Sequence, residues 1–169
     1  LRMPNKETKE RVLGIDPGYE RIGVAVVEKK PKGKDELVYS TCIITSNKLP
    51  HSERLRIIGD EIKNIIHEYE PTHLAIEKLF FNENQKTALL VSEARGVILY
   101  VSCAFGLIVR EFTPLEIKIA ITGYGKKKKK QMINMVPRLI ALKKEILLDD
   151  EFDAIAAALT YMATRNSIR

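Results

Sequence analysis

Residues 12–27 read VLGIDPGYERIGVAVV and predict two β-strands joined by a tight turn. Both ends of this stretch are apolar and rich in β-branched residues, which favour strands, and the Gly and Pro residues between them favour a turn. One carboxylate, Asp16, lies where the first strand ends. Pro17 disfavours a helical conformation at the residue before it, so we expect Asp16 to be held rigidly at the strand end. Asp-Pro-Gly is also ordinary turn chemistry, and Asp16 alone therefore identifies no site.

The composition is that of a globular protein with one core. The chain has 169 residues, 45% hydrophobic and 30% charged, which predicts a single domain over residues 1–169 with a polar N-terminal tail at 1–10. The longest uncharged apolar stretch, residues 96–109, has 14 residues, whereas a membrane-spanning helix needs about 20. We therefore expect no membrane association. A polar N-terminus without a signal peptide, and only two cysteines (Cys42 and Cys103), predict a cytoplasmic protein.

The net charge of +6 is concentrated in one segment. Residues 113–148 carry nine Lys or Arg and two Glu, a charge of +7, which leaves about −1 for the rest of the chain. The nine cations are Lys118, Lys126, Lys127, Lys128, Lys129, Lys130, Arg138, Lys143 and Lys144. Such an excess indicates a polyanionic partner. A solvated, lysine-rich surface helix would have the same composition, so this alternative stays open.

The rest of the chain alternates strand and helix patterns, which indicates an α/β fold. We expect strands at 37–45, 73–76 and 107–111, and helices from about 52 to 70, 85 to 105, 114 to 121, 126 onward and 150 onward. Pro137 is expected to kink or end the lysine-rich helix that begins near Lys126. Apolar residues of the 85–105 helix occupy more than one face. This helix therefore needs a second partner, either another subunit or the 114–121 helix of the same chain.

Four acidic residues are predicted at the ends of elements. Asp16 and Glu77 end the first and fourth strands, which can be parallel neighbours and would then bring the two carboxylates side by side. The spacing of Asp150 and Asp153 places both on one face of the last helix. Simpler explanations remain open: Glu77 as an exposed strand-end residue, and the two aspartates as helix-capping chemistry.

If the four carboxylates converge, their mutual repulsion requires a hard cation between them. Ligation by oxygen alone suits Mg²⁺ or Mn²⁺ rather than zinc. Two such ions about 4 Å apart activate a water and stabilise a leaving oxygen in phosphodiester hydrolysis. Beside a basic segment, this chemistry indicates a nuclease.

The ordered set of motifs resembles the RuvC-type Holliday-junction resolvases over residues 12–165. The motifs are GIDPG at 14–18, AIE at 75–77 followed by Phe80, ARG at 94–96, and Asp150-x-x-Asp153-Ala154-x-Ala156. The resemblance implies a ribonuclease-H-like fold with a five-stranded mixed sheet, in the order 3-2-1-4-5, flanked by helices. It also implies a homodimer that cuts four-way DNA junctions in recombination and repair, with Mg²⁺ as cofactor, two ions per site, and Mn²⁺ as a substitute. A RuvAB-type branch-migration complex is the partner protein that it suggests.

Carried over by matching position, the resemblance gives individual residues a role. Asp16, Glu77, Asp150 and Asp153 are expected to be the catalytic, metal-binding acids. Phe80 is expected to stack on an unpaired base near the crossover. Lys118 and one lysine of the 126–130 run, most nearly Lys129, are expected near the scissile phosphate. Three features depart from the family: the unusually basic run, Pro137 within a normally helical segment, and Glu151-Phe152 in place of small residues between the two aspartates.

Three other functions compete with this interpretation. A YqgF-like nuclease shares the fold and a similar opening motif, but the stretch from Glu77 to Phe80 and the two spaced aspartates argue against it. A phosphotransferase of the actin-like class also places an Asp and Gly after its first strand, but it needs two such domains. A non-catalytic junction-binding module would need the basic segment and not the four acids.

Overall fold

The structure is a computed structural model that describes residues 9–79, 85–125, 129–142, 144–146 and 148–166. The strands described are β1 (Arg11–Asp16), β2 (Arg21–Glu28), β3 (Asp35–Ile44), β4 (His73–Glu77), β5 (Ile108–Phe112) and β6 (Ile140–Ala141). The helices described are α1 (His51–Tyr69), α2 (Gln85–Ala104), α3 (Pro114–Thr122), α4 (Lys129–Leu139) and α5 (Asp149–Thr164).

All six strands form one mixed sheet in the order β5-β4-β1-β2-β3-β6. β1, β2 and β3 are an antiparallel meander, and β4 and β5 run parallel to β1. Each parallel connection contains a helix, α1 before β4 and α2 before β5, as crossovers of this kind require. The predicted α/β class and the order 3-2-1-4-5 of the first five strands are confirmed.

The predicted count of five strands is wrong, because β6 extends the sheet beyond β3. It pairs with only two residues of β3, through Ile140 opposite Asp35 and Ala141 opposite Glu36. Two residues are too few to show the alternation by which strands are recognised in a sequence. β6 also follows α4 directly, so no turn signal separates the two elements.

Pro137 lies inside α4, and the helix ends two residues later at Leu139. Proline removes one backbone donor and crowds the preceding turn, which is consistent with a helix end close to it. The expected helix start near Lys126 falls on residues 126–128, outside the described part of the chain.

The two faces of the sheet are covered by different helices. On one face, β1 and β2 contribute Val12, Ala25 and Val27 to a core shared with α3, α4 and α5. On the other face, the alternate residues, among them Leu13 and Ile15, pack with α1 and α2. This alternation decides on which side a carboxylate at a strand end is placed.

α2 is an apolar helix of which only part is buried. Its segment Thr87–Ala104 is long and apolar enough to cross a membrane by length and composition alone, a test that core helices of soluble proteins also pass. Its inner residues, which include Ala94 and Ile98, are fully buried in the α1-side core. Leu89 and Tyr100 are 63% and 76% exposed.

Candidate active site

Asp16 and Glu77 lie at the carboxyl ends of neighbouring parallel strands. They are the last residues of β1 and β4, and a register that pairs Ile15 with Ile76 brings the following residues side by side. Residues two apart in a strand share a face. Gly14 contacts α5 and Ala75 belongs to the α5-side core, so Asp16 and Glu77 are on the α5 side as well. Both are half-buried.

Two glycines allow α5 to rest directly on β1 and β2. A Cβ at Gly14 would lie 2.1 Å from the carbonyl oxygen of Ala154, and one at Gly23 would lie 1.9 Å from that of Asp150. Gly23 is the strand partner of Asp16. Any side chain at these positions would push the helix away from the sheet. The glycines therefore place the first turns of α5, with Asp150 and Asp153, beside the end of β1.

The start of α5 does not use Asp150 as a cap. The N-cap residue is Leu148, with no side-chain capping hydrogen bond, and Asp150 is the second residue of the helix. The capping explanation is thus wrong for Asp150. The acidic first turn of α5, which contains Asp149, Asp150 and Glu151, is still stabilised by the positive end of the helix dipole.

The Asp150 carboxylate forms an ion pair with the guanidinium of Arg21, the first residue of β2. A hydrogen bond with Cys42 and the negative charge of Asp150 raise the pKa of Arg21. Burial raises the pKa of the Cys42 thiol, which therefore stays protonated at neutral pH. At the edge of the site next to β2, one of the four acids, Asp150, is thus paired with the cation of Arg21.

The turn after Asp16 is fixed from α1 by Arg54, a buried residue. Its Nη2 donates a hydrogen bond of 3.3 Å to the carbonyl oxygen of Tyr19, and its guanidinium carbon lies 3.6 Å from the centroid of the Tyr19 ring. The hydroxyl of Thr45 donates to the same carbonyl at 2.8 Å. These contacts keep the backbone that follows Asp16 in one conformation.

Arg95 and Glu151, like Arg21, lie beside the site and were not predicted from the sequence as parts of it. Nε of Arg95, on α2, donates to the carbonyl oxygen of Glu77 at 3.3 Å, and its guanidinium forms an ion pair with Glu111 of β5. Glu151 is buried between Asp150 and Asp153. No local sequence pattern marks either position, because Arg95 pairs with Glu111 of β5 and Glu151 with Ser40 of β3.

Glu151 ties the first turn of α5 to β3 and to the segment before α5. Its Oε2 accepts hydrogen bonds from the Ser40 hydroxyl at 2.6 Å and from Lys144 Nζ at 2.9 Å. Lys144 Nζ also donates to the Ser40 carbonyl oxygen at 2.7 Å. The position noted as a departure from the family pattern is therefore a structural anchor for both neighbouring aspartates.

The predicted DNA-binding residues are only partly described. Lys118 is half-buried on α3, which packs against α5, and Lys130 is exposed on α4. Phe80, Lys126, Lys127 and Lys128 lie outside the described residues, as does the side chain of Lys129. The expected roles of these five residues therefore stay predictions.

The donor chemistry at this edge of the sheet fits a hard divalent cation. The four carboxylates supply only oxygen ligands, which suit Mg²⁺ or Mn²⁺. In the described part of the chain, no three His, Cys, Asp or Glu side chains converge into a ready-made ligand set. Asp150 is paired with Arg21, and Asp16, Glu77 and Asp153 each have partners of their own. In this structure the four carboxylates therefore interact with groups of the protein itself.

Comparisons with known proteins identify the family. The family model described as crossover junction endodeoxyribonuclease RuvC matches residues 12–161. A relative of that name from Fusobacterium nucleatum is 40% identical over 157 residues, 93% of this chain and 82% of its own length. Another from Halothermothrix orenii is 41% identical over 150 residues, 89% of this chain and 90% of its own. The structure of Thermus thermophilus RuvC in complex with a Holliday junction substrate superposes with a TM-score of 0.87 at 30% identity, covering 94% of this chain and 96% of that one.

These matches and the ribonuclease-H-like arrangement of the sheet agree with the resemblance found in the sequence motifs. The chain therefore belongs to the RuvC family of crossover junction endodeoxyribonucleases.

Proposed function

We propose that this protein is an endonuclease that resolves four-way (Holliday) DNA junctions by metal-dependent phosphodiester hydrolysis. The observation that carries the proposal is the meeting of β1, β4 and α5 at one edge of the sheet. There Asp16 and Glu77 share the α5 face. Gly23, the strand partner of Asp16, has no side chain and so allows the acidic turn of α5 to pack against β2 beside Asp16. Family membership supplies the reaction class.

In this proposal Asp16, Glu77, Asp150 and Asp153 hold the catalytic metal, with Mg²⁺ as the physiological ion, two per site, and Mn²⁺ as a substitute. Bound there, divalent cations supply activation of the attacking water and stabilisation of the leaving oxygen. The protein's own contribution is placement. The strand register orients Asp16 and Glu77, and Arg95 binds the backbone carbonyl of Glu77 and so steadies the end of β4.

Affinity for the junction comes from the basic segment at 113–148, because contacts from Lys and Arg to phosphates dominate binding to nucleic acids. Lys118 and a lysine of the run from Lys126 to Lys130 are proposed to contact the backbone near the scissile phosphate. Phe80, three residues after Glu77, is proposed to stack on an unpaired base at the crossover.

We further propose that the protein acts as a homodimer through α2. A four-way junction has two-fold symmetry, and resolution requires two nicks, so one site in each of two chains related by a two-fold axis meets the requirement. The outer residues of α2, among them Leu89, Gly96, Tyr100 and Cys103, are exposed. Their spacing of seven, four and three residues places them on one stripe.

The alternative that the 114–121 helix covers this stripe within one chain is wrong. α3 packs against α4 and α5, and its buried residues Ile117 and Ile121 belong to the core on the α5 side of the sheet. α2 lies on the other side, with α1. The stripe is therefore available to a second copy of the chain.

The remaining assignments follow from the activity. We propose that residues 1–169 work as one nuclease domain in the cytoplasm, where recombining DNA is found in bacteria. A RuvAB-type branch-migration complex is the proposed partner, because it supplies and moves the junction that a resolvase cuts.

Incubation with a mobile four-way junction and Mg²⁺, scored for paired symmetric nicks, tests the proposal. We expect Asp16→Asn, Glu77→Gln and Asp153→Asn to abolish cleavage and to retain junction binding, because metal ligation needs the charge and affinity comes from the cations. A wild-type protein that binds the junction and never cuts it would instead be a binding module. A variant that cuts at the wild-type rate would show that the substituted residue is not part of the catalytic site.

A further inference from the structure

Arg21 is the cation that contacts one of the proposed metal ligands. It precedes Gly23 by two residues, so both belong to the α5 face of β2, and its guanidinium pairs with Oδ2 of Asp150. The Arg21 side chain is 49% exposed, and that of Asp150 is 22% exposed. The pair thus lies at the rim of the site, where a change of partner costs little.

We propose that Arg21 is an internal competitor of the divalent cation: it holds the Asp150 carboxylate in the metal-free protein and must release it before Asp150 ligates metal. This inference rests on the proposed function, because it requires Asp150 to be a metal ligand. It assigns a role to a residue of the opening hairpin that the four-acid site leaves unused.

Competition follows from the charges. A guanidinium and a divalent cation that share one carboxylate repel each other, because both carry positive charge. In the described residues the acids do not form a closed ligand set, and the pairing of Asp150 with Arg21 gives a reason for this at the α5 side. Because Arg21 is half exposed, its guanidinium can leave Asp150 and be solvated.

A purely structural role for Arg21 leads to the opposite expectation. If the pair only fastened the first turn of α5 to β2, its loss would loosen Asp150 and weaken metal binding. Under the competition proposed here, loss of the guanidinium strengthens metal binding. The sign of the change in affinity therefore separates the two roles without any measurement of cleavage.

The test is a titration of the free protein with Mn²⁺ in the absence of DNA, with binding measured by calorimetry and by electron paramagnetic resonance. We expect Arg21→Gln to lower the dissociation constant about two- to fivefold, the range that an exposed ion pair supports. Arg21→Lys, which retains the charge, is expected to stay close to the wild type. Unchanged or weaker Mn²⁺ binding by Arg21→Gln overturns the inference.

Two matched variants control for the loss of a positive charge. Arg56→Gln removes an exposed arginine that pairs with Glu53 and Asp60 on α1, and it is expected to leave Mn²⁺ binding unchanged. Lys78→Gln removes a cation adjacent in sequence to Glu77. The positive charge of Lys78 helps to lower the pKa of Glu116. If Lys78→Gln tightens Mn²⁺ binding as much as Arg21→Gln does, the effect is one of general charge and the inference is wrong.

Failure of the inference can be told apart from failure of the proposed function. A wild-type protein that binds Mn²⁺ and cuts junctions, while Arg21→Gln binds Mn²⁺ no more tightly, contradicts only the role of Arg21. A wild-type protein that neither binds Mn²⁺ nor cuts junctions contradicts both.

Discussion

Gly23 brings α5 onto the sheet beside Asp16 because it has no side chain. In Gly23→Ala the new methyl group would meet the backbone of Asp150, which cannot rotate away as a side chain can. We expect a loss of stability of about 1–3 kcal/mol from overpacking and, because the acidic turn moves, a decrease in cleavage of about 100-fold. Urea unfolding and single-turnover cleavage measure the two effects.

Gly59→Ala is the matched control for Gly23→Ala. Its added methyl group would meet only side chains, those of Val97 at 3.1 Å and Val101 at 3.8 Å, and alanine is the better helix former by about 1 kcal/mol. We expect wild-type cleavage from this variant. Equal cleavage by the two alanine variants would show that the approach of α5 at Gly23 does not position the acids.

Phe80→Ala tests the proposed stacking on an unpaired base. An aromatic stacked on a base contributes roughly 1–3 kcal/mol, so we expect a decrease in junction cleavage and an unchanged melting temperature. Phe112→Ala is the contrasting variant, because Phe112 is 7% exposed in the α5-side core and its truncation is expected to cost about 3–5 kcal/mol of stability. A loss of stability of that size in Phe80→Ala would show that Phe80 is a core residue.

The residues of the candidate site differ in how far the sequence predicts them. Asp16 and Glu77 are predictable, because each directly follows an apolar strand and parallel neighbours end at one edge of the sheet. Arg21 and Arg95 are not, since their partners Asp150 and Glu111 lie 129 and 16 residues away along the chain. Pairing across such separations depends on tertiary structure that no local pattern encodes.

At the scale of the elements, the start of α5 is held by Glu151 rather than by a capping side chain. Glu151→Ala leaves the Ser40 hydroxyl without its acceptor and removes one of the two acceptors of the Lys144 ammonium. Hydrogen bonds to a charged group contribute about 1.5–3 kcal/mol, so we expect a decrease of this size in the free energy of unfolding, measured in urea.

Glu145→Ala is the control, because Glu145 is an exposed acid in the segment that leads to α5 and its loss is expected to change stability by less than about 0.5 kcal/mol. If both variants unfold at the same urea concentration, the anchor to β3 does not stabilise α5.

Element type was predictable wherever a pattern extended over several residues. α1, α2 and the five longer strands each contain enough residues to show a period of 3.6 or 2. β6 has two residues and follows a proline-containing helix, so its place beside β3 is decided by packing of the whole chain. The sequence did not predict Leu148 as the N-cap of α5, because the adjacent aspartates are more usual N-cap residues than a leucine.

For the whole molecule, the two sides of the sheet differ in what they leave uncovered. On the α5 side, α5 is buried along most of its length, from Ala154 to Met162. On the other side, α2 buries one face against the sheet and α1, and leaves Leu89 and Tyr100 in solvent. Apolar residues repeated along one stripe of a long helix are typical of a surface that a second subunit covers.

Leu89→Glu tests this surface as the dimer interface. A charge at a buried position of the interface is costly to desolvate, so we expect the folded variant to sediment as a monomer at concentrations where the wild type sediments as a dimer. Without a partner chain, it is expected to nick the junction on one strand only. Ile119→Glu is the control, because Ile119 is 47% exposed on α3, away from α2, and is expected to leave the dimer intact. A wild-type protein that is monomeric at micromolar concentration and still makes paired nicks would contradict the two-chain requirement itself.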